Sequence, residues 1–315
     1  MKETPLVSIL VPAYNHEKYI DDTMKGIFAQ TYTNLELIIT DDCSVDHTYQ
    51  RIEGWRAILN ERFDKVSIIR HKENKGLPKT LNEMLRICTG KYIKIVDGDD
   101  FLLEEGIEKL VNYYEENQGY GFIFANGFLG NADIHYPLEN PDKYRTYYNE
   151  RPDVTKDVII RLYCHFFIFS PSIMFSREAY EKTGFYDEEI WFEDWDYYLR
   201  VASKFPIGYL DTCVMMYRHI DTSMSHSSSL RNRIGMRKSE LQVLDKHKYL
   251  VDEGLSQKKI YEKCNEIFKE AFDMRSKIYV NEILLYMKTH FVKLTWKNRI
   301  YWAIYRLHLV DFLFS

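Results

Sequence analysis

Short hydrophobic blocks separated by polar clusters fill the first hundred positions. "LVSILVPAYN" is β-rich and stops at Pro12 and Asn15. In the "EKYIDDTMKGIFAQT" that follows, Ile20, Met24, Ile27 and Phe28 recur at helical spacing. "LELIIT" (35–40) predicts a second strand closing on Asp41 and Asp42, and Ser44 or Asp46 is placed to cap a helix over 49–60. "KVSIIRH" (65–71), "LPKTLNEMLRIC" (77–88) and "GKYIKIV" (90–96) then predict a strand, a helix and a strand. The alternation is βαβαβαβ. It implies an α/β fold with a mainly parallel central sheet, helices on both faces, and ligands at the carboxyl ends of the strands.

Further along, 101–125 reads as a helix from about Leu103 and a strand, "GFIFAN". Residues 126–157 are polar and rich in tyrosine, which predicts a loop with little regular structure. "FIFSPSIMFSREAYEKTGFYDEEIWFEDWDYYLRVASKF" predicts a strand, a helix, a loop and a second helix. After about Ser225 the pattern is helical to the end.

Acidic residues collect where the strands end. "VDGDD" places Asp97, Asp99 and Asp100 around Gly98. It is no EF-hand, because Phe101 and Leu102 occupy positions that need an oxygen ligand and a glycine. Mg2+ or Mn2+ needs only one or two protein carboxylates when substrate phosphates supply the other oxygens, and D-x-D suits that. The plain alternative is a solvated turn whose Asp100 caps the next helix. In "TDDCSVDHT" Asp42 has no capping role and can accept from a ribose hydroxyl or a base N–H. In "WFEDWDYYLR" Trp195, Tyr198, Leu199 and Ala202 form an apolar stripe, Asp196 and Arg200 pair at i,i+4, and Glu193 and Asp194 open the helix. An ionised carboxylate there can act as a general base or simply complement the helix dipole. "MYRHIDTSMSH" carries Arg218, His219 and His226, residue types that neutralise a diphosphate or bind metal.

Composition narrows the classes. A net charge of −5 argues against a general nucleic-acid binder. The five cysteines are widely spaced with no CxxC, the usage of reduced thiols in a cytosolic protein. The opening "MKETP" and "VSILVPAY" are too short and strand-like for a signal peptide, and no apolar run approaches transmembrane length. P-loop, G-x-G-x-x-G, G-x-S-x-G and HExxH motifs are absent.

"VSILVPAYNHEKYI", "LELIITDDCSVDHT", "NKGLPKTLN", "GKYIKIVDGDD" and "GFYDEEIWFEDWDYYLR" together resemble, in order and spacing, the inverting glycosyltransferases of family 2, which have the GT-A fold. The resemblance covers about 5–225. It implies a GT-A domain over 1–225, with a nucleotide-sugar half (1–100) and an acceptor and base half (101–225), followed by a helical extension over 226–315. It implies that Pro12, Ala13 and Tyr14 line a nucleobase pocket and that Asp42 contacts the base or ribose. Asp97 and Asp99 would be the D-x-D pair, Asp99 the main ligand of Mn2+ or Mg2+, and Asp194 the catalytic base. The partners implied are a nucleotide-sugar donor, foremost a UDP-sugar, and a glycan or lipid-linked acceptor, as in bacterial surface polysaccharide synthesis. Two motifs depart from the family. Leu81 stands where an Arg often precedes Asn82, leaving Lys79 to supply the phosphate contact. Tyr217 and Arg218 match Y-R-x-H, but His219 comes one place early as a metal ligand.

A sugar nucleotidyltransferase is the nearest other enzyme class. It needs a Gly-rich basic loop after strand one, where this chain has "PAYNHEKY". A non-catalytic nucleotide- or glycan-binding module is the other alternative. Joint retention of Asp42, Asp97, Asp99 and Asp194 argues against it.

The segment 290–314 is rich in aromatic and basic residues. Trp296, Ile300, Ala303, Ile304 and Leu307 follow helical spacing. Such a helix can lie on a membrane surface, which would make the protein peripheral at the inner face of the plasma membrane, or pack on the domain, or form a homo-oligomer contact.

Overall fold

The computed structural model describes residues 4–220, 230–274 and 276–290. They fall into two compact units, one of 4–189 with 193–220 and one of 190–192 with 230–274 and 276–290.

The first unit is built on a nine-stranded sheet. β1 (Val7–Ala13) and β2 (Leu35–Asp41) are buried along their whole length. Their runs of Val, Ile and Leu suit strands covered on both faces. β1 pairs in parallel with β2 and with β4 (Tyr92–Ile95), and β2 with β3 (Lys65–Arg70) at the edge. The connections are α1 (Ile20–Phe28), α2 (Thr48–Arg62) and α3 (Leu77–Ile87). This is the βαβαβαβ half that the hydrophobic pattern predicts.

Beyond β4 the pairing is mixed. The strands β5 (Phe101–Leu102), β6 (Phe122–Asn131), β7 (Arg145–Thr146), β8 (Met174–Ser176) and β9 (Ile207–His219) complete the sheet in the order β3-β2-β1-β4-β8-β6-β9-β5, with β7 on β6. β8 is antiparallel to both β4 and β6, and β9 runs parallel to β6. The helices α4 (Gly106–Glu116), α5 (Val158–Cys164), α6 (Arg177–Thr183) and α7 (Glu193–Ala202) belong to this half. Three expectations change here. The strand in "FIFSPSIMF" shrinks to Met174–Ser176, because Pro171 has no N–H for a ladder and the chain makes a 3-10 turn over Ser170–Ser172. The helix expected from Leu103 begins at Gly106. The tyrosine-rich loop begins only after β6 and contributes β7.

At the sheet end opposite the acidic turns, buried Glu36 on β2 accepts from Ser8 Oγ (2.5 Å), Thr89 Oγ1 (2.9 Å), Gly90 N (3.1 Å), Lys65 Nζ (2.7 Å) and Thr89 N. Burial alone would raise its pKa. The bonds from Lys65, Ser8 and Thr89 outweigh it and lower the value to about 2. A carboxyl depressed in the folded state stabilises above its unfolded pKa and loses that contribution as pH falls through the folded one. Glu36→Gln is therefore expected to cost roughly 3 kcal/mol in urea unfolding at neutral pH. That deficit should shrink towards zero as pH falls to about 2. An equal deficit at both ends would show that packing, not charge, holds this corner.

The second unit is helical in its described residues. It comprises α8 (Leu230–Lys246), α9 (Glu253–Asp273) and α10 (Lys277–His290). Its core includes Ile234, Leu241, Leu244, Ile260, Ile267 and Leu284. Asp252 caps α9 by accepting from Leu255 N at 2.9 Å. Trp191 packs so closely on α8 that a Cβ at Gly235 would lie 2.2 Å from its ring, and Phe192 N donates to Ser239 Oγ at 2.8 Å. No helix among the described residues is long and apolar enough to cross a membrane. Of the 290–314 segment only His290 is described, so the surface helix and the dimer contact expected there lie outside the described residues, as does His226.

Candidate active site

The strand ends are stitched together by backbone bonds. Asp42 N donates to Ala13 O (2.8 Å) and Gly98 N to Pro12 O (3.2 Å), which brings the ends of β1, β2 and β4 side by side. Pro12 and Ala13 are buried, whereas Tyr14 is 43% exposed at the rim. Asn15 N donates to Ser44 Oγ (2.9 Å), His16 N to Thr48 Oγ1 (2.7 Å) and Glu17 N to Asp46 Oδ2 (3.1 Å). Ser44 and Asp46 thus tie the loop after β1 to the loop after β2. Asp46 also accepts from Thr48 N at 3.0 Å, a cap-like bond at the start of α2.

The D-x-D turn is held from beneath. Thr23 Oγ1 on α1 lies 2.6 Å from Asp100 O and 3.1 Å from Gly98 O. Arg218, on β9, donates from Nη1 to Asp99 O (2.6 Å), from Nη2 to Asp22 Oδ2 (2.7 Å) and from Nε to Ile134 O (2.8 Å), and its backbone N donates to Asp100 Oδ1 (2.8 Å). Its side chain has no exposed surface. Arg218, expected as a ligand of the donor, is here a strut under the turn, with Nε, Nη1 and Nη2 each donating to a protein oxygen. Asp100 is likewise not a helix cap, since α4 starts six residues later and Asp100 answers Arg218. Gly98 makes room for protein, because a Cβ there would lie 2.5 Å from His16 Nδ1.

Asp97 and Asp99 stay partly exposed above this support. Burial, then Asp99, then Asp194 push the Asp97 pKa up to about 7. Asp194, in the first turn of α7, is itself raised by burial, while the neighbouring Ser170 and Tyr198 hydroxyls pull the other way. Burial and the charges of Asp194 and Asp97 raise Glu193. The D-x-D turn and the Glu193–Asp194 pair, about a hundred residues apart in sequence, therefore share one electrostatic site. The stripe of Trp195, Tyr198, Leu199 and Ala202 is buried, and Trp195 Nε1 donates to Leu162 O at 2.7 Å. Asp196 pairs with Arg200 at 2.9 Å.

A divalent cation suits this site. Asp100 Oδ2 is buried without a partner, and burial and neighbouring carboxylates raise Asp97 and Asp100 despite the charges of Lys94 and Arg218, the mark of an excess of negative charge at the turn. No three His, Cys, Asp or Glu side chains stand in ligating geometry among the described residues, so the ion would take Asp97 and Asp99 with phosphate and water oxygens. The pattern singled out His219, which ends β9 opposite Asn131 with its side chain exposed. The structure also brings His16 to 4.0 Å from Asp99 Oδ2, a neighbour that sequence spacing does not single out.

The remaining donor-site expectations divide. Asp42 is buried and accepts from Lys75 N (2.8 Å), Gly76 N (2.8 Å) and His71 Nδ1 (2.7 Å), and His71 Nε2 reaches Glu83 at 2.8 Å. It shapes the loop before α3. Lys79 is exposed in the first turn of α3. Asn82 is 1% exposed, accepts from Tyr186 N (2.9 Å) and donates to Tyr186 O (3.0 Å) and Glu188 Oε1 (2.9 Å). Its amide, expected to contact the donor, here bonds the loop after α6.

This architecture is shared with known proteins. TarS 1–349 of S. aureus in complex with UDP-GlcNAc superposes with a TM-score of 0.63 at 19% identity, over 88% of this chain and 79% of that one. The mannosyltransferase PcManGT from Pyrobaculum calidifontis, in complex with GDP-Man and Mn2+, gives 0.59 at 16% identity, over 97% and 81%. These likenesses define a GT-A fold. Residues 8–184 match the family model described as Glycosyl transferase family 2, and the chain belongs to that family. It is 40% identical over 117 residues to an uncharacterized glycosyltransferase of Haemophilus influenzae (37% of this chain, 35% of the relative). It is 28% identical over 221 residues to chondroitin synthase of Escherichia coli (67% and 28%). It is 26% identical over 200 residues to the E. coli UDP-Glc:alpha-D-GlcNAc-diphosphoundecaprenol beta-1,3-glucosyltransferase WfaP (63% and 71%). The chain spans about a third of the length of the first two relatives.

Proposed function

We propose that the protein transfers a sugar from a nucleotide-diphosphate sugar, foremost a UDP-sugar, to a glycan or lipid-linked acceptor with inversion at the anomeric carbon, in bacterial surface polysaccharide synthesis at the cytoplasmic face of the membrane. The observation that carries this reading is the meeting of Asp97 and Asp194 in one site. Asp97 and Asp99 would hold Mn2+ or Mg2+, which when bound neutralises the diphosphate leaving group as a Lewis acid. Pro12, Ala13 and Tyr14 form the wall for the base, and Asp42 sets the shape of the loop beside it. Asp194 accepts the proton of the acceptor hydroxyl as that oxygen attacks the anomeric carbon from the face opposite the diphosphate. One displacement inverts the configuration, so an α-linked donor yields a β-linked product. Burial keeps Asp194 more basic than a free carboxylate, which favours proton uptake. The UDP-Glc donor in the name of WfaP and the UDP-GlcNAc bound by TarS support the donor class, and the diphosphoundecaprenol acceptor of WfaP supports a lipid-linked one.

A thermal-shift panel of nucleotide sugars with Mn2+ tests the reading. A ligand present at a hundred times its Kd adds about 2.7 kcal/mol, or roughly 5–10 °C for a domain of this size. UDP-sugars are expected to raise Tm, and chelator should abolish the rise. A response to GDP- or dTDP-sugars alone would overturn the donor class. No response to any nucleotide sugar would overturn the function.

A further inference from the structure

Lys94 lies in the middle of β4, and its side chain is completely buried. Burying an amine costs several kcal/mol unless its donors are used, and an aliphatic side chain would fill the same volume without that cost. The structure shows where the donors go. Nζ lies 2.6 Å from Ile95 O and 2.5 Å from Pro171 O. The β4–β8 ladder ends at the pair Lys94–Met174. Ile95 and Pro171 lie just past that end, on the two diverging chains, and the amine bridges them. A lysine side chain has two N–H donors with or without its charge, so the bridge does not depend on protonation.

The two bridged segments lead to the two halves of the chemistry. Ile95 is two residues ahead of Asp97. Pro171 is the middle of the 3-10 turn Ser170–Ser172. One end of that turn, Ser172, is pinned to β6: its Oγ donates to Ala125 O (2.8 Å) and accepts from Ala125 N (2.9 Å). At the other end the Ser170 hydroxyl stands beside Asp194 and favours its ionised form. We propose that Lys94 is a positioning residue that fixes the separation between the D-x-D turn and the base Asp194, by tying β4 to the turn that carries Ser170. A single displacement needs the leaving phosphate and the base held on opposite faces of one carbon, and a misplacement of about 1 Å can cost ~100-fold in rate. Lys94 touches neither donor nor acceptor in this assignment. The inference rests on the reading of Asp194 as base.

Lys94→Met keeps the length and removes both donors. Its hydrolysis of UDP-glucose and UDP-N-acetylglucosamine, whichever the wild type turns over, is expected to fall in kcat by about 30–100-fold. Calorimetric affinity for UDP with Mn2+ should stay within about threefold, since the metal turn keeps its supports from Thr23 and Arg218. Ser170→Ala should lower kcat in the same way. The double variant should be no worse than the poorer single one, because both act through Asp194. If Lys94→Met does not fold, Lys94→Gln, whose amide reaches one carbonyl, takes its place with an intermediate loss. The proposal is overturned if kcat is unchanged, if UDP affinity falls as far as kcat, or if the two losses multiply. Asp194→Asn separates the failures. Hydrolysis retained in that variant removes the base reading itself. An inactive Asp194→Asn beside a fully active Lys94→Met removes only the inference about Lys94.

Discussion

Asp194→Asn leaves UDP–Mn2+ affinity within about threefold of wild type and lowers sugar transfer by about 10²–10⁴-fold, the range that a positioned general base supplies. The expectation follows from three features of the site. Asp194 opens α7, where the helix dipole favours the carboxylate over the neutral acid. The Ser170 and Tyr198 hydroxyls beside it favour the carboxylate, and an Asn keeps an oxygen facing them, so the fold and the donor subsite survive the change. What the amide lacks is affinity for a proton. Glu193→Gln should be milder, because burial and the charges of Asp194 and Asp97 already favour the neutral form of Glu193, which the amide resembles. Calorimetry beside transfer assays on the same preparations separates the effects. Nucleotide binding lost together with turnover would move Asp194 into the donor site.

Asp99→Asn is expected to abolish Mn2+-dependent UDP binding and, with it, turnover by orders of magnitude, while the protein stays folded. The turn is held through the Asp99 carbonyl, not its carboxylate, so Arg218 and Thr23 keep it in place. A pH signature accompanies this. Asp97 is raised to about 7, so its neutral form is preferred in the folded chain. A group raised in the folded state contributes stability below its unfolded pKa and loses it as pH rises through the folded value. Metal-free protein should therefore lose Tm as pH rises from about 4 through about 7, and Mn2+ should restore it at the upper end. In Asp99→Asn one repelling charge is gone, so the loss should be smaller and Mn2+ should no longer restore it. Full nucleotide binding by Asp99→Asn in Mn2+, or by wild type in excess chelator, would rule out a metal at this turn.

Much of the first half of the fold can be read from its periodicity. "SILV", "LELIIT" and "YIKIV" are strands because branched and aromatic apolar runs of that length bury both faces of a parallel strand. The second half is harder to read. β8 and β5 are three and two residues long, too short for a period, and exist because β4, β6 and β9 offer edges to pair with. Residue roles divide the same way. Asp97, Asp99 and Asp194 stand out as carboxylates at predicted element ends, where a side chain meets solvent or ligand. Arg218 and Asn82 are ambiguous in the pattern, because a polar side chain can turn outward to a ligand or inward to carbonyls, and only the neighbours decide. Lys94 carried a visible signal, a cation between Ile93 and Ile95 in an apolar strand, whose meaning depends on the turn facing it.

By itself the sequence determined that the chain is α/β, that acids gather at the carboxyl ends of its strands, and that its motifs follow the family order, because hydrophobic period and strand termination are local properties. The tertiary structure decided that the charges of the D-x-D turn and the Glu193–Asp194 pair act on one another, that Arg218 and Thr23 hold the turn from beneath, that Lys94 bridges Ile95 and Pro171, and that His16 stands beside Asp99. Those are distances between residues tens to nearly two hundred positions apart. They are set by strand order and by which buried polar atoms must find partners, quantities that no local window of sequence contains.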